Sequence, residues 1–534
     1  MRDPREIAAL LYELADRVAF AGESPFKVRA YREAARRLEM DALDPGSLAA
    51  LEAAPGIGKK IAQKIVLMAK GELPPGLVRR RVDQPPELSA LLRLPGVGPS
   101  TARRLWAEGI GTVGGLQDRL QAGEQVGGVS PGQRRQLLRA FAERRLGVPL
   151  PDLIRVTEEL RGDAPGIAPT GDLRRLDPTV LHPRWLVTRA EAEAARRHLP
   201  ILLEGIWTIG PDAVLVAEED AFGPALLRHT GPPSFVREVE GALARHGLHL
   251  AADGLYRDAR RIACRTEAEL FEAAGLEQVA PPLRGLDPAA RKEAPTRVLG
   301  DLHTHSTWSD GLEDIERMAA AAIERGYRYL AVSDHSQGLK VARGLTPERF
   351  REQRREIEAL RRTLPEGFTL LQGCEVDIHA DGSLDLPDEL LEELDVVIAS
   401  VHNHFDQDIM SATERLIKAI RHPLVTAIGH PGARKLGERP PIAADWEKVF
   451  AAARDAGTAL ELSASPRRLD LDYRWLDRQG PQGLLFVIDT DAHSAHELGY
   501  MPLGIAQAQK AGVQSSQVLN TGPVEEVTRP LVAR

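Results

Sequence analysis

Along the first 80 residues apolar side chains recur three and four positions apart. IAALLYELADRVAF (7–20) shows this spacing, and AYREAARRLEM (30–40) repeats it beneath a basic outer face, so both predict amphipathic helices. QPPELSALLRLPGVG (84–98) opens a second helical unit that runs to about residue 148, where GVPLPDL reads as a linker. From about 152 to 285 short β-rich runs such as RWLVT and AVLVA alternate with helical stretches, which predicts an α+β region. GLDPAARKEAPTRV (285–298), rich in Pro and charge, is the clearest linker. Beyond it, apolar strand-like runs (YLAVSD, LDVVIASVH, TALELSA, LLFVIDT) alternate with helical segments (IERMAAAAIERG, PERFREQRREIEALRRTL), the rhythm of a parallel β/α barrel. No repeat array or low-complexity tract interrupts the order.

A chain of 534 residues exceeds the roughly 250–300 at which one core stops growing, so about three to five units are expected. Two distant cysteines, Cys264 and Cys374, argue against a disulfide framework or a cysteine-built zinc site and fit a reducing cytoplasm. No apolar run approaches the ~20 residues of a membrane span, and the first residues lack the apolar core of a signal peptide. A soluble, cytoplasmic, nucleoid-associated protein is expected. The formal charge of −8 hides an asymmetry: residues 1–150 hold 24 Lys and Arg against 17 Asp and Glu, a net of +7, leaving −15 for the rest. A basic front end on an acidic body suits an N-terminal polyanion-binding module; a solvated Arg-rich surface is the plainer alternative.

Within that basic segment one device appears twice, PGIGKK (55–60) and PGVGPS (95–100), each followed by an amphipathic helix. A Gly-x-Gly turn lets the backbone approach a phosphate, and the helix behind it offers free N–H groups and its positive dipole end. The pattern resembles the helix-hairpin-helix motif, which grips the DNA backbone without reading bases. On that reading Gly56, Gly58, Gly96 and Gly98 give backbone contacts, Lys59, Lys60, Lys64, Arg103 and Arg104 give charge, and DNA is the partner.

Nine metal-type side chains follow in the last third. They are His303, His305 and Asp310 in DLHTHSTWSDG, His335 in SDHS, Glu375 in GCEVDI, His402 in SVH, His430 in GHP, and Asp491 and His493 in DTDAHS. Two apart on a strand, His303 and His305 face one way, and Asp491 and His493 repeat that geometry after LLFVID. Every candidate follows a strand-like run, and β/α barrels gather their chemical groups at the carboxyl ends of strands. Imidazole and carboxylate without thiolate suit Zn, Mn or Fe(II) and disfavour Mg as sole occupant. Such a set reads as a metallophosphoesterase site, where ions activate water and neutralise phosphate without a protein nucleophile. Asp334 is a candidate for orienting a ligand and Arg434 for gripping phosphate; a strand-end cap and a surface charge are their plainer roles. His379, His404 and His496 are expected outside the site.

The order of these units resembles the bacterial family X DNA polymerases with a C-terminal polymerase-and-histidinol-phosphatase (PHP) domain, over nearly the whole chain. The resemblance implies a multidomain fold: all-α helix-hairpin-helix units at 1–82 and 83–150, an α+β palm at 151–230 and thumb at 231–286, a linker at 287–298, and an α/β, distorted TIM-like PHP barrel at 299–534. It implies three divalent ions, manganese favoured. His303, His305, Glu375 and Asp491 would hold one, Glu375, His402 and His430 a second, and Asp310, His335 and His493 the third. Catalysis would rest on His303, His305, Glu375, Asp491 and His493.

The palm departs from the family. Its Gly-Ser-x-Arg-Arg turn becomes TGDLRRLD, keeping Gly171, Arg174 and Arg175 but placing Asp172 where it would repel a triphosphate. The Asp-x-Asp pair falls on His182 and Arg184 and the third Asp on Ala213, with Asp212 one residue off register; no Asp-x-Asp occurs between 150 and 285. HTGPPSF (229–235) replaces the thumb's TGS-containing turn. An arginine cannot ligate magnesium, so templated polymerisation is not expected. The family's abasic-site lyase lysine corresponds to Lys64, for which a phosphate contact is the plainer role. The leading expectation is a DNA-repair nuclease with Mn-dependent 3′-to-5′ exonuclease activity, extending to blocked 3′ ends or abasic-site incision. The alternatives are a polymerase with an unorthodox palm, a phosphatase of the histidinol-phosphate type, and a DNA-binding scaffold with structural metals.

Overall fold

The computed structural model describes residues 4–40, 43–85, 88–92, 94, 96–121, 124–134, 137–138, 148–180, 183–203 and 213–528. Pro95, His182 and Asp212, named above, lie outside them. Two compact units form, residues 1–145 with 437–440, and 146–436 with 441–534.

The first unit is helical, as the apolar spacing predicts. Helices α1 (Pro4–Phe20) and α2 (Pro25–Met40) bury Leu11, Leu14, Val18, Tyr31 and Leu38 between them. Helices α3 (Leu48–Ala53), α4 (Lys59–Ala69) and α5 (Pro75–Asp83) close that core with Leu51, Ile65, Met68 and Leu77. A second core joins α6 (Leu88–Leu92), α7 (Pro99–Ala107) and α8 (Val113–Gln121) through Leu91, Leu105 and Leu116, with Phe20 from the end of α1.

The second unit begins with small sheets. Strand β1 (Val148–Pro149) pairs with β3 (Thr179–Val180), and β2 (Ala168–Pro169), β4 (Trp185–Thr188) and β5 (Val214–Ala217) form a sheet in the order β2-β4-β5. Buried Trp185 anchors it, its indole N–H donating to Thr157 Oγ1 at 2.8 Å. Next, helices Phe222–Thr230, Pro233–Arg245 and Glu267–Ala273 and the strands β6 (His249–Ala251), β7 (Gly254–Arg257) and β8 (Arg260–Ile262) enclose a core of Phe235, Leu243 and Phe271. One carboxylate links these parts. Glu267 accepts both terminal nitrogens of Arg284 at 2.9 Å, and Arg174 of the TGDLRRLD turn adds a third bond at 2.6 Å.

Seven parallel strands make the barrel: β9 (Gly300–Thr304), β10 (Tyr329–Val332), β11 (Thr369–Asp377), β12 (Val396–Ser400), β13 (Ala427–Ile428), β14 (Ala459–Ser463) and β15 (Phe486–Asp489). They lie side by side in chain order, and the two edges approach through a Thr304–Ala492 bridge, so the sheet nearly closes. Both faces are covered, which is why four of these strands read as nearly continuous apolar runs. The barrel also grips the preceding domain. Asp177, closing the TGDLRRLD turn, pairs with Lys510 and accepts the Tyr473 hydroxyl at 2.7 Å, while Gln507 Nε2 donates to Leu176 O at 2.8 Å. Among the described residues no helix is long and apolar enough to cross a membrane.

Glu267 and Arg284 are almost wholly removed from water, so deleting one partner strands the other as a buried charge. Glu267→Ala is expected to cost about 3–5 kcal/mol, measured by denaturant unfolding. Burial opposes ionisation of Glu267, but Arg284 and Arg174 hold its carboxyl below the ordinary range. Its contribution is therefore present above the unfolded value of about 4.3 and lost as pH falls through the depressed folded value. The variant should show a correspondingly smaller loss of stability on acidification.

Candidate metal centre

The nine sequence-predicted residues converge at the carboxyl ends of the strands. Glu375 on β11 is the hub, fully buried: its Oε1 lies 3.1 Å from His402 Nε2 and 2.9 Å from His430 Nε2. Its Oε2 lies 2.8 Å from His335 Nδ1, 3.4 Å from His303 Nε2 and 3.6 Å from His305 Nε2. Asp491 Oδ1 stands 3.2 Å from His305 Nε2 and 3.6 Å from His303 Nε2. Asp310 Oδ1 stands 3.5 Å from the Nε2 atoms of both His335 and His493.

Three groups of these side chains offer ligand atoms close enough to share an ion: His303, His305, Glu375 and Asp491; His305, Asp310, His335 and His493; and His335, Glu375 and His402. The first matches the set expected from the resemblance. Among the three, His305 and His335 each stand in two groups, and His430, which meets Glu375 Oε1, stands in none. Burial argues that these atoms exist to bind something. His303 Nε2, His305 Nδ1, His335 Nδ1, His402 Nε2, both ring nitrogens of His430 and both oxygens of Glu375 are buried without a hydrogen bond. Each such group costs about 1–3 kcal/mol unless a partner is supplied, and crowded imidazole and carboxylate lone pairs fit divalent cations.

Local structure aims the set. His303 lies within β9, but His305 follows the strand end, and Asp491 and His493 lie beyond β15 rather than on it. The expected alternation along a strand therefore does not orient Asp491 and His493. Asp491 takes φ +55° and His430 φ +29°, uncommon values for residues with a Cβ that redirect the side chains inward. Gly311, in the SDG turn, is required, because a Cβ there would fall 2.7 Å from the His305 backbone.

Burial opposes ionisation of Glu375 and Asp491. Even so, His402, His303 and His335 around the first, and His303 and Arg468 around the second, hold both carboxyls well below the usual range. Burial and the imidazoles of His493 and His335 bring His305 down to about 3, the neutral form that ligates. Beneath the ring, burial pushes Asp301, Asp489 and Glu461 upward, Asp301 to about 6.

Several functional groups escaped the sequence reading. Glu461 Oε2 lies 3.2 Å from His303 Nδ1 and also accepts the His430 backbone N–H; Asp377 lies 2.7 Å from His402 Nδ1. Each leaves Nε2 of its histidine turned to the centre, the usual support of a metal-binding imidazole. Glu461 had a signal, an acid inside the apolar run ALELS, and Asp377 had another, two residues after Glu375 on one strand face. Among the described residues Asp334 meets no imidazole; it takes the backbone N–H and hydroxyl of Ser306 at 2.9 and 2.6 Å and Gln353 Nε2 at 2.6 Å, pinning the turn that carries Asp310.

Arg434 needs correction. Its guanidinium is buried and bonds Asp472, the Leu469 carbonyl and, at 2.8 Å, the Arg468 carbonyl, so it shapes the 467–472 loop and cannot grip phosphate. The arginine that faces the centre is Arg468, whose Nε donates to Asp491 Oδ2 at 3.0 Å and whose Nη1 is buried without a partner.

In the helical unit, Gly56 and Gly96 take φ +82° and +72°, and Gly58 and Gly98 cap α4 and α7. Lys59 and Lys60 are exposed in the first turn of α4. Lys64 lies over the Tyr31 ring at 5.5 Å, in a cavity of about 230 Å3 lined also by Lys27, Lys60 and Arg80. Arg103 bonds the Phe20 carbonyl at 2.6 Å, tying α7 to the end of α1, and Arg104 lies 3.5 Å from Thr101 Oγ1.

Four family models match separate stretches: a helix-hairpin-helix domain at 3–72, a SAM-like helix-hairpin-helix tandem at 88–140, a DNA polymerase beta thumb at 225–285 and a PHP domain at 301–464. The whole chain is similar to the DNA polymerase/3′-5′ exonuclease PolX of Bacillus subtilis (strain 168), 31% identical over 567 residues that span 98% of each protein. With these domains in that order, the chain belongs to the bacterial family X DNA polymerases that carry a PHP domain. The barrel region is similar to proteins named probable phosphatases. That of Thermoanaerobacter sp. (strain X514) is 30% identical over 251 residues, 43% of this chain and 94% of that protein. That of Syntrophotalea carbinolica is 32% identical over 172 residues, 31% of this chain and 65% of that protein.

Because Glu375 faces two groups of imidazoles through its two oxygens, Glu375→Ala is expected to release more ions than His493→Ala. The metal-to-protein ratio after reconstitution and elemental analysis measures this; equal losses would contradict a shared Glu375.

Proposed function

We propose that the chain is a DNA-repair nuclease whose barrel hydrolyses phosphodiesters from 3′ ends, including blocked ends and abasic sites, with three divalent ions, manganese favoured over zinc or iron. The observation that carries this reading is the cluster of orphaned, buried ligand atoms around Glu375. Ions bound there would supply Lewis-acid activation of water and neutralise charge on the phosphate. His303, His305, Glu375 and Asp491 would hold one ion, Glu375, His402 and His430 a second, and Asp310, His335 and His493 the third. Glu461 and Asp377 fix the imidazole orientations, and Arg468 presents an unpaired N–H beside Asp491 where a phosphate oxygen would need it. Gly56, Gly58, Lys59 and Lys60, with Gly96 and Gly98, would hold DNA backbone at two hairpins. Arg103, bonded to Phe20, serves that surface indirectly. The reading keeps the division 1–82, 83–150, 151–230, 231–286, 287–298 and 299–534, and a cytoplasmic setting on the nucleoid.

Nucleotidyl transfer is excluded from the proposal. Arg184 stands exposed just before β4 and Ala213 is buried just before β5, at neighbouring positions of two parallel strands where magnesium would require carboxylates. Asp172 is paired with Arg175, whose other nitrogen bonds the Thr230 carbonyl, so the turn is closed on itself. Among the described residues every group of three or more neighbouring ligands lies in the barrel. A second reading, a phosphomonoesterase, is favoured by the probable phosphatases that match the barrel region.

The test incubates the full chain with manganese on 5′-labelled single-stranded and gapped DNA and, separately, on a generic phosphomonoester. DNA shortening is expected, reduced at least about 100-fold in His303→Ala and Asp491→Ala, retained in Arg184→Ala, and without extension when dNTPs are added. Arg468→Ala should lower turnover by about 10- to 100-fold while keeping its metal. Phosphomonoester turnover without DNA shortening would select the second reading.

A further inference from the structure

The loop that presents Arg468 to the metal centre is held partly by another domain. Arg468 directs its Nε to Asp491 Oδ2 at 3.0 Å, and its Nη1 is buried without a hydrogen bond. The next side chain goes elsewhere. Leu469 is 0% exposed and belongs to the core of the palm region, with Leu150, Leu173, Val180 and Trp185. Among the described residues it is the one buried apolar side chain that the barrel supplies to that core. Its backbone takes φ +42°, a conformation that a leucine keeps only where its surroundings impose it. Four residues on, the Tyr473 hydroxyl donates to Asp177 Oδ1 at 2.7 Å, and Lys510, whose ammonium lies 4.4 Å from the Tyr473 ring, pairs with the same carboxylate. The palm region therefore grips the segment 467–473 twice.

The barrel's own hold is of a different kind. Arg434 bonds the Arg468 and Leu469 carbonyls and Asp472, which fixes where the backbone lies. Hydrogen bonds to carbonyls leave the chain free to turn about them, and the direction of a long side chain follows from that turn. Seating Leu469 in the palm core removes the freedom: with one side chain committed to that core at a positive φ, its neighbour is sent toward Asp491. The precision matters, because a displacement of ~1 Å in a group that meets the reacting phosphate can cost on the order of 100-fold in rate. We propose that Leu469, Tyr473 and Asp177 are positioning residues for hydrolysis, through which the palm region holds Arg468 in place at the metal centre. The proposal rests on the hydrolytic reading above and gives a region excluded from nucleotidyl transfer a part in the barrel's reaction.

The experiment uses the full chain with manganese on 5′-labelled single-stranded DNA and, separately, on a generic phosphomonoester. Leu469→Ala and Tyr473→Phe are made alone and together with Arg468→Ala. Alone they should lower kcat by about 10-fold and about threefold, with the metal-to-protein ratio of wild type. In the Arg468→Ala background neither should lower kcat by more than about twofold, because an arginine that is absent cannot be misplaced. Leu469→Met, which refills the volume, should return kcat to within about twofold of wild type. Tyr473→Phe removes one hydroxyl and no packing, so it decides the matter even where Leu469→Ala fails to fold. Single variants with wild-type kcat would overturn the proposal and leave the nuclease reading standing. Losses that multiply with that of Arg468→Ala, or that follow a fall in metal content, would show a merely structural contact and overturn it equally. Wild type that turns over only the phosphomonoester would remove the nuclease reading, and the same cycle on that substrate then decides the positioning role. Turnover of neither substrate would remove both.

Discussion

The structure turns on one buried carboxylate. Glu375 sits at 1% exposure amid five imidazoles, a position whose desolvation would be prohibitive without opposite charge nearby. That arrangement exists only because β9, β10, β12 and β13 run parallel to β11 in one sheet and deliver their histidines, two of them from β9, at the end where β11 places Glu375. Acids on the neighbouring β14 and at the end of β11 then fix the ring orientations from behind. The histidines, the second layer of acids and the pinned Ser306–Asp310 turn are consequences of satisfying that single group.

The preceding domain uses its charges differently. The TGDLRRLD turn makes internal bonds: Arg174 to Glu267 of the thumb, Arg175 to Asp172, and Asp177 to Lys510 and Tyr473 of the barrel. These charges hold three parts of one unit together. Part-buried polar groups must find partners or lose stability, and these pairings are such partners.

Much of this was legible in the chain. Helical spacing in residues 7–20 and 30–40 and the apolar strand runs are local properties, and each appears at its expected place. The two Gly-x-Gly turns were readable because a positive φ at Gly56 and Gly96 is something few other residues accept. The ligand candidates were readable because His, Asp and Glu recur just after strand-like runs. Arg434 and Arg468 mark the limit. Two arginines near the same site are equivalent in a string of letters, and only the 467–472 loop shows that one is buried on carbonyls while the other faces Asp491.

Residue order by itself thus determined the helical front end, the strand-and-helix alternation and the identity of the nine ligand candidates, since periodicity and side-chain chemistry are carried by neighbours along the chain. Tertiary structure alone decided which imidazole shares which carboxylate, that Glu461 and Asp377 stand behind them, and that seven strands nearly close. Those facts depend on register and on backbone angles such as those of His430 and Asp491, which arise when segments nearly two hundred residues apart are brought within about 3 Å, the range at which a hydrogen bond forms.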